Sequence, residues 1–261
     1  MNASIIDWCE ENYAVTVYLA EFWNTITNVA FVACAIKSGV QARRAKAPLR
    51  VLLNYVWLIC VGLGSIAFHA TLRFDMQLLD ELPMLLFALQ SVYCLLCLEP
   101  RISFRQRASV MILATIAVLF GVWLYIHSMV PVVFQLVFSC IVATCLVGSF
   151  RATALSTRSG HKGAMAAKMA MQRAFWILLT AFGVWNIDLH FCDSLKWARL
   201  QVGTPMAVFF ELHAWWHILT ALGSAWFISG LLMLSAESKD VLLTSNYFLP
   251  SISNSENAKE E

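Results

Sequence analysis

The 261-residue chain is 60% hydrophobic and 13% charged, with a mean hydropathy of +0.69, whereas a water-soluble domain of this size carries about 25% charge. That composition excludes an ordinary soluble globule. The net charge of +2 gives no basis for binding nucleic acid, and the basic residues read instead as topology signals.

Taken in chain order, residues 1–21 form a polar segment containing the acidic stretch DWCEEN. It has neither a basic leader region nor a cleavage site, so it is not read as a removable signal peptide. Seven apolar blocks follow, each near the length of about 20 residues that crosses a bilayer. They lie at roughly 22–41, 49–70, 78–98, 108–127, 131–150, 171–191 and 207–234. The predicted fold is therefore an all-α membrane protein, with one seven-transmembrane-helix bundle spanning residues 22–234. STRSGHKG (156–163) reads as a flexible linker. Residues 235–261 read as a polar tail, largely disordered.

Orientation follows from the lysines and arginines. With seven spans, the loops after spans 1, 3 and 5 and the C-terminal tail share one side. They hold Lys37, Arg43, Arg44, Lys46, Arg50, Arg101, Arg105, Arg107, Arg151, Arg158, Lys162, Lys168, Arg173, Lys239 and Lys259. The opposite side holds Arg73, Lys196 and Arg199. The positive-inside rule then predicts a cytosolic C-terminus and a lumenal N-terminus.

His127 and His161 fall at a span end and in a polar loop, and His190 reads as interfacial. His69 in GSIAFHATL and the pair His213 and His217 in ELHAWWHIL fall within spans instead. Ionisable groups are costly there and point to function by default. The i, i+4 spacing puts His213 and His217 on one face of their helix. His69 approaches from the lumenal end of span 2. Three imidazoles so placed match the open zinc sites of catalytic metalloproteins. Ser65 shares the His69 face, and Asp80 lies across a short hairpin. Taken alone, Asp80 is a carboxylate favoured by a helix N-terminus and Ser65 a hydroxyl bonded to its own helix. Together with the histidines they suggest a metal hydrolase with a Lewis acid, a proton shuttle and an oxyanion donor. A role for Asp80 in orienting a histidine stays open.

Six cysteines, Cys34, Cys60, Cys94, Cys97, Cys140 and Cys145, fall inside spans and read as small buried apolar residues. Cys9 and Cys192 fall on the oxidising lumenal side, which predicts a bridge between them. Asn2-Ala3-Ser4 is a glycosylation sequon.

The stretches DWCEENYAVTVYLAEFWNT, SIAFHATLRFDMQLLDELPM, FWILLTAFGVWNIDLHFC and LHAWWHILTALGS resemble the alkaline ceramidases, most closely their type 3 branch. The resemblance runs from about Asp7 to Trp226, and the histidine, serine and aspartate set also resembles the wider superfamily that includes the adiponectin receptors. It implies a seven-helix intramembrane amidase that hydrolyses ceramide, taken from the bilayer, to sphingosine and a free fatty acid. It also implies residence in the endoplasmic reticulum and/or Golgi membrane. The implied zinc ligands are His69, His213 and His217, and the implied catalytic residues are Asp80 and Ser65. A calcium site is implied at Asp7, Trp8 (through its carbonyl), Glu10, Asn12 and Glu21, which offer the hard oxygen ligands that calcium prefers. Glu211 departs from the family pattern, where a neutral glutamine is expected. Competing readings are a seven-helix receptor with a structural metal, a zinc hydrolase acting on another lipid, and a proton or metal transporter.

Overall fold

The computed structural model describes residues 3–235, 241–245 and 250–254. Asn2 of the sequon and Lys239 and Lys259 of the tail lie outside the described residues. Nine α-helices carry the fold among the described residues: α1 Phe22–Thr27, α2 Val29–Arg44, α3 Leu49–Thr71, α4 Phe74–Leu98, α5 Phe104–Ser128, α6 Pro131–Arg158, α7 Ala164–His190, α8 Cys192–Val202 and α9 Leu212–Ser235. Five of them (α3, α4, α5, α6 and α9) are long and apolar enough to cross a membrane, and α7 with α8 makes a sixth candidate bent by 90°.

The first predicted span is interrupted. Thr25 and Thr27 donate their hydroxyls to the carbonyls of Glu21 and Trp23, and the Asn28 amide bonds the Asn24 carbonyl. Side chains that bond back four residues compete with the helical ladder, and α1 gives way to α2 at Asn28. The last predicted span also starts later than expected. Met206–Phe210 is a 3₁₀ turn, and α9 begins at Leu212. The predicted linker is short, because α6 persists through Arg158 and α7 starts at Ala164. The sequence AMAAKMAMQ in the first turns of α7 is rich in strong helix formers. The tail is not wholly without order: β1 Val241–Ser245 pairs antiparallel with β2 Pro250–Asn254.

α9 is the most enclosed span, whereas α5 and α6 sit at the periphery and leave most of their surface outward. Lipid is as apolar as leucine, so close packing of small residues replaces the hydrophobic effect as the force joining such helices. Ala167, Ala170, Ala174 and Ala181 of α7 and Ala221, Gly223, Ala225 and Gly230 of α9 are all buried, and α7 and α9 pack along their lengths. Of the cysteines assigned to spans, Cys34, Cys94 and Cys145 are buried. Cys60 and Cys97 are half-buried, and Cys140 faces outward on peripheral α6.

α3 and α4 form a hairpin turned at Leu72 and Arg73. Gly64 lets the two backbones meet, because a Cβ there would lie 1.9 Å from the Leu79 carbonyl oxygen. The N-terminal segment crosses this hairpin. Ser4 N–H donates to the Leu72 carbonyl, Ala20 to Ala70 and Glu21 to His69.

Candidate metal centre

His69 near the end of α3 and His213 and His217 on the first turns of α9 converge where the N-terminal segment closes the bundle. All three are buried, and one ligand atom from each lies within 4.8 Å of the others. Among the described residues this is the group of histidines, cysteines and acids gathered tightly enough for a metal ion.

The outer nitrogens of two rings are held by second partners. His69 Nδ1–H donates to Glu21 Oε2 at 2.5 Å. His217 Nδ1 lies 3.1 Å from the Thr27 hydroxyl and 3.3 Å from the Asn28 amide. Thr27 gives its own proton to the Trp23 carbonyl, so its oxygen can accept from His217 Nδ1–H; the Asn28 NH2, itself only a donor, then serves the Asn24 carbonyl and makes no bond to that nitrogen. That assignment fixes the tautomer and leaves Nε2 of His69 and His217 with a free lone pair. His213 is held differently. Its ring stacks on Trp8 at 3.9 Å between centroids, and its backbone N–H donates to Asp188. His213 Nδ1 is buried without a hydrogen-bond partner. A buried imidazole trio with an orphaned nitrogen, and two rings whose outer nitrogens are oriented by second partners, fits a divalent metal.

Ser65 is buried one helical turn before His69, and its hydroxyl bonds the carboxylate of half-buried Asp80. Asp80 is not among the tightly gathered metal-ligating atoms.

The acids implied as calcium ligands lie in the overlying segment. Asp7 and Asn12 are exposed and bonded to each other at 3.2 Å. Trp8 donates its N–H to Glu21 Oε1. Both oxygens of Glu10 accept 2.7 Å bonds from the Trp23 and Asn24 amides, capping α1. Glu21 is fully buried and also accepts from the Asn24 side chain. Burial pushes the Glu10 and Glu21 carboxyls up to about 7, and the charges of neighbouring acids, Glu21 on Glu10 and Asp7 on Glu21, add to the rise. A cation would relieve that mutual repulsion.

Cys9 and Cys192 form a disulfide with Cα atoms 5.3 Å apart. Asp188 accepts from Cys9 N–H on one oxygen and His213 N–H on the other, tying the segment to α9. Glu211 turns away from the metal centre to pair with Arg199, which also donates to the Cys9 carbonyl. Asp188, Thr27, Asn28 and the stacking of Trp8 were not singled out from sequence. Asp188 had a readable signal as an acid inside an apolar block. Asn24 and Asn28 also show a polar face at i, i+4.

The chain is similar to known proteins along most of its length. The sequence profile of the Ceramidase family matches residues 1–251. Alkaline ceramidase 3 of Mus musculus is 35% identical over 223 residues, covering 85% of this chain and 80% of that protein. Alkaline ceramidase YPC1 of Saccharomyces cerevisiae is 32% identical over 243 residues, covering 87% of this chain and 75% of that protein. A shorter stretch of 92 residues is 38% identical to an alkaline ceramidase of Arabidopsis thaliana. On this evidence the chain belongs to the ceramidase family.

Proposed function

We propose that this chain is an intramembrane amidase that hydrolyses ceramide, breaking the amide C–N bond with water to give sphingosine and a free fatty acid. The observation that carries the reading is the buried convergence of His69, His213 and His217 in a chain of this family. The metal is assigned as zinc, held by the three imidazoles. When bound, zinc would supply Lewis acidity and lower the pKa of its water to about 7.

Asp80 is assigned as the group that takes a proton from the attacking water and returns it to the leaving amine. The alternative, that Asp80 orients a histidine, is disfavoured because the outer nitrogens of His69 and His217 are already held by Glu21 and Thr27, and His213 Nδ1 has no hydrogen-bond partner, Asp80 included. Ser65 holds the Asp80 carboxylate in the resting state. Once Asp80 carries a proton, that bond weakens and the hydroxyl is free to donate to the oxygen that gains charge on the amide. Calcium is assigned to the acids of the N-terminal segment, with Glu21 facing both sites.

The chain is read with seven spans, α1 and α2 counting as one and α7 as another, with the N-terminus lumenal and the C-terminus cytosolic. Endoplasmic reticulum and/or Golgi membranes are the assigned location. Ceramide carries its amide near the membrane interface, at the depth expected for His69 and His213, and so need not leave the bilayer. The named relatives are enzymes rather than receptors, which favours catalysis over signalling.

Purified protein incubated with a panel of ceramides should release sphingosine, lose this activity with a zinc chelator and lose it in His217→Ala. Absence of release from every ceramide by protein that retains zinc would overturn the reading.

A further inference from the structure

We propose a second lipid site, for an anionic phospholipid, in the groove between α3, α4 and α5 at the end of the bundle away from the histidines. The groove has a volume of about 550 Å³. Arg50, Tyr93, Cys97, Phe104 and Arg107 line its mouth, and Leu86, Leu89, Met111 and Thr115 line its deeper part. Eight residues of helix separate Arg107 from Thr115, a run of about 12 Å. The lining thus passes from cationic to apolar along the bundle axis, the polarity of an amphiphile with an anionic head.

The two guanidiniums make this more than a seam between helices. Among the described residues, neither Arg50 nor Arg107 enters an ion pair. Arg50 Nε is buried without a hydrogen-bond partner. Both arginines line the same groove, with Tyr93 between them in the lining. The neighbouring groove between α4 and α6 gives the contrast: its arginine, Arg151, is already paired with Glu99.

Guanidinium forks match phosphate oxygens geometrically. Basic pockets between membrane helices bind anionic headgroups, at about 1 kcal/mol per arginine. Ceramide is uncharged and leaves both arginines unsatisfied. A fatty-acid carboxylate brings only two oxygens to two forks. An anionic phospholipid supplies a phosphate for the mouth, a net negative charge for two unpaired cations that a zwitterionic phospholipid lacks, and an acyl chain for the floor. The site rests on the membrane placement proposed above but not on the assigned reaction.

The test uses full-length protein in mixed micelles with phosphatidylserine or phosphatidylcholine, with bound lipid counted by native mass spectrometry. Retention in the pellet after alkaline carbonate extraction checks membrane embedding separately. Wild type should retain phosphatidylserine preferentially. Arg50→Gln and Arg107→Gln should each weaken retention about fivefold, and together about 25-fold. Met111→Trp, which keeps both charges and fills the apolar floor, should weaken it as well. Arg105→Gln, which removes an equal charge at the same end outside the groove, should leave it unchanged. Thermal unfolding without added lipid confirms that each variant is folded. The proposal is overturned if embedded wild type shows no preference for phosphatidylserine, if Arg105→Gln weakens retention as much as the groove variants, or if oleate binds there and phosphatidylserine does not displace it.

Discussion

Glu21 joins the histidine cluster to the N-terminal segment: one carboxylate oxygen accepts from His69 Nδ1–H, and the other accepts from the Trp8 backbone N–H in the segment that carries the acids. Anything that moves the N-terminal segment therefore moves the partner of a histidine assigned to the metal. Removing such outer partners typically costs 10–100-fold in metal affinity. Glu21→Ala should lower zinc affinity by about that range and abolish any rise in melting temperature with calcium. Glu21→Gln keeps an oxygen for His69 but loses the charge, so it should retain most zinc affinity and lose the calcium response. Chelator competition and thermal unfolding with and without calcium measure both. Unchanged zinc affinity in Glu21→Ala would break the link between the sites.

Thr27 sets the tautomer of His217, because its hydroxyl proton is already committed to the Trp23 carbonyl. Thr27→Val keeps the shape and removes the acceptor, so zinc affinity should fall about 10-fold. Thr27→Ser should restore it. Equal zinc affinity in Thr27→Val and wild type would show that the Thr27 oxygen does not orient the His217 ring.

Asp80 bonds Ser65 and no histidine among the contacts of the metal centre. Asp80→Asn should therefore bind zinc normally while turnover drops by about 10²–10⁴-fold, the usual contribution of a positioned acid or base. Zinc stoichiometry measured beside sphingosine release separates this from an orienting role, which would cost zinc as well.

The convergence of the three histidines was legible because its signal is local. His213 and His217 are four residues apart on one helix, and His69 falls at the matching depth of another. The Cys9–Cys192 pairing was legible from compartment alone. What surrounds the histidines was not, because its partners meet only in the folded bundle. Thr27 and His217 are 190 residues apart, and Asp188 and Cys9 are 179 apart. Glu10 and Glu21 were read as cation ligands, with Glu21 at the membrane edge a link to the bundle; the partners themselves, the α1 amides for Glu10 and His69 for Glu21, were not foreseen. Hydropathy marks where a chain prefers lipid. It does not register the threonine and asparagine bonds that interrupt the first span at Asn28, nor the right-angle bend between α7 and α8.

The juxtaposition of Ser65 and Asp80 depends on their neighbour Gly64. A Cβ at Gly64 would sit 1.9 Å from the Leu79 carbonyl oxygen and 2.6 Å from its carbon. Backbone atoms cannot rotate aside as a side chain can, so Gly64→Ala must drive α4 away from α3 next to the residues assigned to proton transfer. Overpacking of a tight interface costs about 1–3 kcal/mol, and activity should fall further than that loss of stability explains. Gly223→Ala provides the control. Its Cβ would meet the Leu178 side chain at 2.7 Å, and a leucine can adopt another rotamer. Its destabilisation should therefore lie at the low end of about 1–3 kcal/mol, with activity retained. Melting temperatures and turnover of the two variants, measured side by side, decide it. Equal effects would mean that the α3–α4 contact does not set the geometry of the site.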